Sequence, residues 1–147
     1  MIASVCLFAV AACVRYHTYL ITSDGVHLAY RYQEVPEARG SVVLLHGLGS
    51  DYSAWDFLKG FFNRHRWSTM AMDFRGHGDS IEWKGKDLDW KAFSHEGFRT
   101  MLRDIDAAVQ HLNSKDNVWL VGASMGANLA LEYAKDHPGI HGLVLMS

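Results

Sequence analysis

The sequence predicts an α/β domain: a mostly parallel sheet with an antiparallel hairpin at its start and helices on both faces. Two observations lead there. From residue 42 onward, short runs of β-branched residues and leucine alternate with segments whose apolar side chains recur three or four apart. Helical connections between buried strands read as right-handed βαβ units. Composition agrees: 147 residues, 49% of them hydrophobic, with a formal charge of only -2, hold enough apolar surface for one core and are far from the charged, apolar-poor make-up of disordered chains.

Residues 1–14 are almost wholly apolar and end just before Arg15, Tyr16 and His17. The run is shorter than the roughly 20 residues a membrane span needs but fits a signal-peptide core. Val10, Ala11, Ala12 and Cys13 also match the cleavage box of a lipoprotein, in which Cys13 is acylated and tethers the chain to a membrane. Against this, no lysine or arginine precedes the run. A leader over 1–14 and export or membrane anchoring are therefore expected, with a buried segment or misplaced start, and a cytoplasmic protein, as the alternative. Residues 15–147 form the domain.

Residues 19–22 and 26–32 alternate in the strand manner around Ser23, Asp24 and Gly25, and Asp-Gly between two such runs marks a hairpin. Residues 42–45 form a continuous apolar run, as a strand buried on both faces requires. Trp55, Leu58, Phe61 and Phe62 share one helical face. Residues 68–72 are the next strand, and a glycine-rich, charged loop is expected from 73 to 94. Phe98, Met101, Leu102, Ile105, Ala108, Val109 and Leu112 predict one helix of about four turns, with arginine and aspartate on its other side. Strands at 118–121 and 143–146 enclose a helix over 125–134, stopped by Pro138 and Gly139.

Composition also narrows function. Arg64, His65 and Arg66, the densest basic run, read as a solvated helix end and not a nucleic-acid stripe. Both cysteines fall in the first 13 residues, and the nine histidines are scattered singly, so neither a disulfide framework nor a metal site is expected.

Chemistry is concentrated in three segments. Gly122, Ala123, Ser124, Met125 and Gly126 form G-x-S-x-G between a strand and a helix. A serine on such a tight turn has a strained backbone, and Gly122 and Gly126 remove side chains that would collide there. The helix N-terminus behind it offers free N–H groups to an oxyanion. Small residues here also serve plain helix–strand packing, so the motif alone decides nothing. Two further loops follow strand ends: His46, Gly47, Leu48 and Gly49, then Asp73, Phe74, Arg75, Gly76, His77, Gly78, Asp79 and Ser80. Ligand sites of open α/β sheets form at that edge.

With these three segments the sequence resembles the α/β-hydrolase family over nearly all of residues 17–147, most closely its monoacylglycerol lipase, lysophospholipase and serine aminopeptidase-like branch. The resemblance implies that Ser124 is the nucleophile and that the N–H groups of Leu48 and Met125 form the oxyanion hole. It implies structural roles for His46, Gly47, Gly49, Asp73, Arg75, Gly76, Gly78, Gly122 and Gly126. The serine speaks against relatives of the fold that attack with a carboxylate.

A serine needs a histidine and an acid, which the family places later in the chain. After Ser124 only Glu132, Asp136, His137 and His141 are available, and all read as surface or cap residues. The expectation is a chain that stops after about the sixth strand, lacks the acid, the histidine and any lid, and is nearly inactive as it stands. The run Leu143, Val144, Leu145 and Met146 would then be an apolar edge open to association. The function expected of the intact protein is cofactor-free hydrolysis of a small acyl ester. A peptidase or amidase of the same fold, and a non-catalytic binding protein or pseudoenzyme fragment, are the alternatives.

Overall fold

A computed structural model describes residues 18–112 and 117–147. The leader expected over residues 1–14, Cys13 included, lies outside them. β1 (Tyr19–Ile21) and β2 (Val26–Gln33) form the antiparallel hairpin, with Leu20 opposite Leu28. Its turn needs Gly25, whose φ is 88°, and is closed by the Val26 N–H donating to Thr22 Oγ1 at 2.9 Å. β2 runs on, antiparallel, beside β4 (Ser68–Met72). β4 lies parallel to β3 (Ser41–Leu45), β3 parallel to β7 (Val118–Ala123), and β7 parallel to β8 (Ile140–Met146). The order β2-β4-β3-β7-β8 places the first parallel strand in the middle, and β3 is buried at every position. That burial explains its unbroken Val-Val-Leu-Leu reading.

Strand alternation divides the core into two layers. Val43, Leu45, Met70, Met72 and Leu120 face α3 (Leu102–His111) and α4 (Met125–Asp136), where they meet Ile105, Ala108 and Ala130. Val42, Leu44, Ala71 and Val121 face the other way, toward Trp55 and α1 (Asp56–Arg64). Helices therefore cover both faces. Among the described residues no helix is long and apolar enough to cross a membrane.

Four expectations need correction. The region 73–94 is not all loop: β5 (Glu82–Trp83) and β6 (Lys86–Asp87) make a second small hairpin, and β5 pairs with β2. Its turn holds Lys84 and Gly85 at φ 52° and 74°, the primed geometry that two-residue hairpins favour. The single helix over 98–112 is two, α2 (His95–Arg99) and α3, because through Thr100 and Met101 the winding tightens: the Met101, Arg103 and Asp104 N–H groups donate three residues back, and the Thr100 hydroxyl donates to the Gly97 carbonyl at 2.6 Å. Phe61 stands about half exposed, packed on His65 instead of the core. Asp104, expected on the polar side of its helix, is fully buried.

Candidate active site

The parallel register levels the strand ends. Leu45 is paired with both Met72 and Gly122, and Gly122 with Leu145, so the segments beginning at His46, Asp73 and Ala123 leave the sheet side by side. Each of the three chemistry-bearing segments thus reaches the same edge.

Ser124 is exposed and stands between β7 and α4 with φ 50° and ψ -112°, a conformation costly for any residue with a Cβ. The surroundings hold it there. A Cβ on Gly126 would lie 2.3 Å from the Leu45 carbonyl oxygen, and one on Gly122 would lie 2.4 Å from that of Gly126. Both neighbours are backbone, so neither can give way. The Ser124 N–H donates to the Met146 carbonyl at 2.8 Å, and the Ser124 carbonyl accepts from Ala127 and Asn128. With its own N–H and C=O both engaged, the residue cannot relax by rotating its peptide planes.

The loop opposite is clamped through one imidazole. The Phe74 N–H donates to His46 Nε2 at 3.0 Å, which makes that nitrogen the acceptor and leaves the proton on Nδ1. Nδ1 donates to the Gly47 carbonyl at 2.7 Å, and that oxygen also accepts from the Ser50 N–H at 3.2 Å. The Gly47 C=O and Leu48 N–H belong to one trans peptide, so holding the oxygen fixes the N–H in the opposite direction. Gly47 itself lies against Ser124: a Cβ there would be 3.5 Å from that of the serine. Neither the Leu48 nor the Met125 N–H has an acceptor among the described residues. Burial holds His46 well below its ordinary pKa, at about 4, with the nearby His77 adding to the effect and Asp51 opposing it.

Leu48, Ser124 and Met125 line a cleft of about 470 Å³. One stripe of α4 forms its wall, running from Met125 through Asn128 and Leu129 to Glu132, and α2 faces it with His95, Phe98 and Arg99.

The family model for serine aminopeptidase, S33, matches residues 36–147. The chain belongs to this family of α/β hydrolases. Relatives bear out the likeness. "Putative esterase/lipase 2" of Mycoplasma genitalium is 32% identical over 114 residues, covering 76% of this chain and 39% of the relative. "Probable proline iminopeptidase" of Streptomyces coelicolor is 30% identical, covering 84% of this chain and 37% of its own. Among solved structures, a thermostable carboxyl esterase from Bacillus coagulans superposes with a TM-score of 0.72 at 26% identity over 88% of this chain and 43% of that one. The chain thus spans less than half the length of each.

Within this S33 hydrolase the segment after β4 is tied down from inside. Asp73 accepts from the Tyr52 N–H at 2.6 Å and the Asp79 N–H at 2.8 Å, while burial pushes its carboxyl up to about 6. Gly78, at φ 50°, leaves room for that carboxylate, and Gly76, at φ 76°, passes close to the backbone of Trp90. Gly49, at φ 71°, sets the other loop against the indole of that tryptophan. Arg75 is buried and bridges two acids, Asp104 at 2.7 Å and Asp24 at 2.7 Å. Those bonds pull Asp24 well below the usual carboxylate range, whereas burial raises Asp104. The first hairpin, the β4 loop and α3 are pinned together at this one guanidinium.

The remaining titratable residues of the α4 region do not meet at Ser124. His137 caps α4, stacked on Tyr133 at 3.7 Å between ring centroids, and His141 opens β8 beside Trp119. Both mark the end of the sheet away from the serine. Glu132 is the exception: it reaches the cleft and pairs with Arg99 at 3.3 Å. Its spacing from Met125 along one helix stripe was the available signal, and Arg99 carried none. Among the described residues no group of three or more histidine, cysteine or carboxylate side chains is placed to hold a metal ion.

Proposed function

We propose that this protein hydrolyses carboxylic esters through an acyl-enzyme on Ser124. The observation that carries the reading is the strained, exposed serine in a cleft shared with Leu48 and Met125, whose N–H groups have no acceptor among the described residues. Ser124 Oγ attacks the acyl carbon, its proton passes to a general base, and the carbonyl oxygen becomes an oxyanion held by the two N–H groups. Collapse expels the alcohol, which takes up the proton. Water then repeats the sequence on the acyl-enzyme and releases the acid. The esterase names among the relatives support this choice of substrate class.

The base and its orienting acid, on this reading, follow the family's order of serine, acid, histidine. A second reading, release of N-terminal residues from peptides, is favoured by one feature, the Glu132 carboxylate at the cleft, which offers a seat to an ammonium group. A fluorophosphonate probe tests the hydrolase reading. Labelling should fall on Ser124 and disappear in Ser124→Ala, and a folded protein that takes up no label would overturn it.

A further inference from the structure

The Arg99–Glu132 pair at the far end of the cleft finishes a groove whose walls are mostly the apolar Leu48, Phe98, Met125 and Leu129, with Asn128 and His95 among them. Met125, whose N–H stands at the reacting end, and Glu132 are seven positions apart on one helix, so the pair lies about 10 Å along the groove from Met125 at 1.5 Å per residue. We propose that this end is a carboxylate subsite: Arg99 receives the anionic end of an ester substrate whose carbonyl sits at Ser124. The proposal deepens the esterase reading and rests on it for the position of the reacting carbonyl.

Three observations favour an anion here over a cation. First, Arg99 makes a single 3.3 Å contact with Glu132, and both side chains are largely open to water, at 55% and 40% exposure. Such a pair holds its partners weakly, and four of the five guanidinium donors stay available. Second, Arg75 in this same molecule bridges two carboxylates at once, so an arginine that keeps Glu132 while accepting a second acid has a precedent within the fold. An ammonium, by contrast, would have to compete with Arg99 for Glu132. Third, His95 lines the same cleft, one helical turn before Arg99 on α2, and carries a further ring N–H. The apolar wall between suits a methylene chain. At about 1.2 Å per bond, as in an extended backbone, 10 Å corresponds to about eight bonds.

Equilibrium binding tests this without requiring turnover. The full chain carrying Ser124→Ala is titrated by NMR with monomethyl suberate, neutral dimethyl suberate and the cationic methyl 8-aminooctanoate. The monoanion should bind about tenfold tighter than the neutral ester, as a charge-assisted bidentate contact provides. Arg99→Gln should remove that preference, and Glu132→Gln should strengthen it about threefold by releasing the guanidinium. Equal affinities, no binding of any ester, a preference for the ammonium ester, or a preference that survives Arg99→Gln would each overturn the subsite. Fluorophosphonate labelling of the Ser124-containing protein reports on the nucleophile separately. Anion preference without labelling would remove the hydrolase reading alone, and labelling without anion preference would remove the subsite alone.

Discussion

His46 offers the sharpest test of how the site is built, because its two ring nitrogens do two different jobs. Nε2 accepts from the buried Phe74 N–H and Nδ1 orients the Gly47–Leu48 peptide. His46→Asn can keep a donor where Nδ1 was and loses the Phe74 acceptor. His46→Gln can keep an acceptor where Nε2 was and loses the clamp. An unsatisfied buried amide costs about 1–3 kcal/mol, so Asn should lower the free energy of unfolding by that amount while leaving labelling of Ser124 nearly unchanged. Gln should stay within about 1 kcal/mol of the parent yet label more slowly. Losing a bond worth about 1 kcal/mol frees the peptide plane about fivefold, and complete loss of one oxyanion donor sets an upper limit of about 100-fold to 1000-fold. Urea titration and fluorophosphonate labelling rates are the assays.

The same imidazole makes a pH prediction whose sign is fixed. The folded state holds His46 at about 4 against 6.5 for a free histidine, so between those values the unfolded chain binds the extra proton. Stability from this group is complete above pH 6.5 and is lost as pH falls toward 4, by about 3 kcal/mol in all. Asp73 works the other way. Its carboxyl is raised from 3.8 to about 6, so acid restores stability over much of the same window and flattens the overall profile. The difference between the parent and His46→Gln cancels Asp73 and isolates the histidine. If that difference is flat from pH 7.5 to 4, or if Asn and Gln label at the same rate, the clamp is wrong.

Further outcomes follow from contacts elsewhere at the site. Gly126→Ala would drive a methyl group into the carbonyls of Leu45 and His46, 2.3 Å and 2.7 Å away, and should cost at least about 3 kcal/mol in urea unfolding. Arg75→Met strips the counter-charge from buried Asp104 and should destabilise by about 3–5 kcal/mol; adding Asp104→Leu should recover most of that loss in the same measurement. Ser124→Gly should be about 1 kcal/mol more stable than Ser124→Ala, since only glycine accepts φ 50° without strain, and thermal unfolding of the two compares them directly.

Much of this was legible in the sequence where the physics is local. A strand buried on both faces favours an unbroken apolar run, and residues 42–45 form one. G-x-S-x-G was informative because it fell between such a strand and an amphipathic helix, and Ser124 stands at that junction. Strands of two residues, by contrast, have no period to detect, so β5 and β6 were hidden inside what read as loop. The break at Thr100 was invisible because the apolar recurrence continues through it from Phe98 to Met101 and Ile105. Asp104 was misplaced for a related reason. It lies three residues after Met101 and one before Ile105, on the buried face, and only a partner 29 residues earlier, Arg75, makes a charge tolerable there. The pairing of Arg99 with Glu132 likewise joins two helices and leaves no trace along either one.

The site is held by backbone more than by side chains, and that has a consequence for what can vary. Leu45 is opposite Gly122 in the sheet, and its carbonyl also lies over Gly126 across the bend, so β3 supports the serine from both ends of its turn. From the far side β8 takes the Ser124 N–H. A one-residue slip of β7 against β3 would turn each β7 side chain to the opposite face and carry Gly126 out from under Leu45, so core burial and serine geometry are enforced by the same register. Side chains of the cleft wall carry no such burden. Phe98, Arg99 and Glu132 are tied to the sheet by nothing comparable, and Arg99 and Glu132 are largely exposed. Substitutions along α2 and the outer stripe of α4 can therefore change which ligand fits without disturbing the bend that presents Ser124.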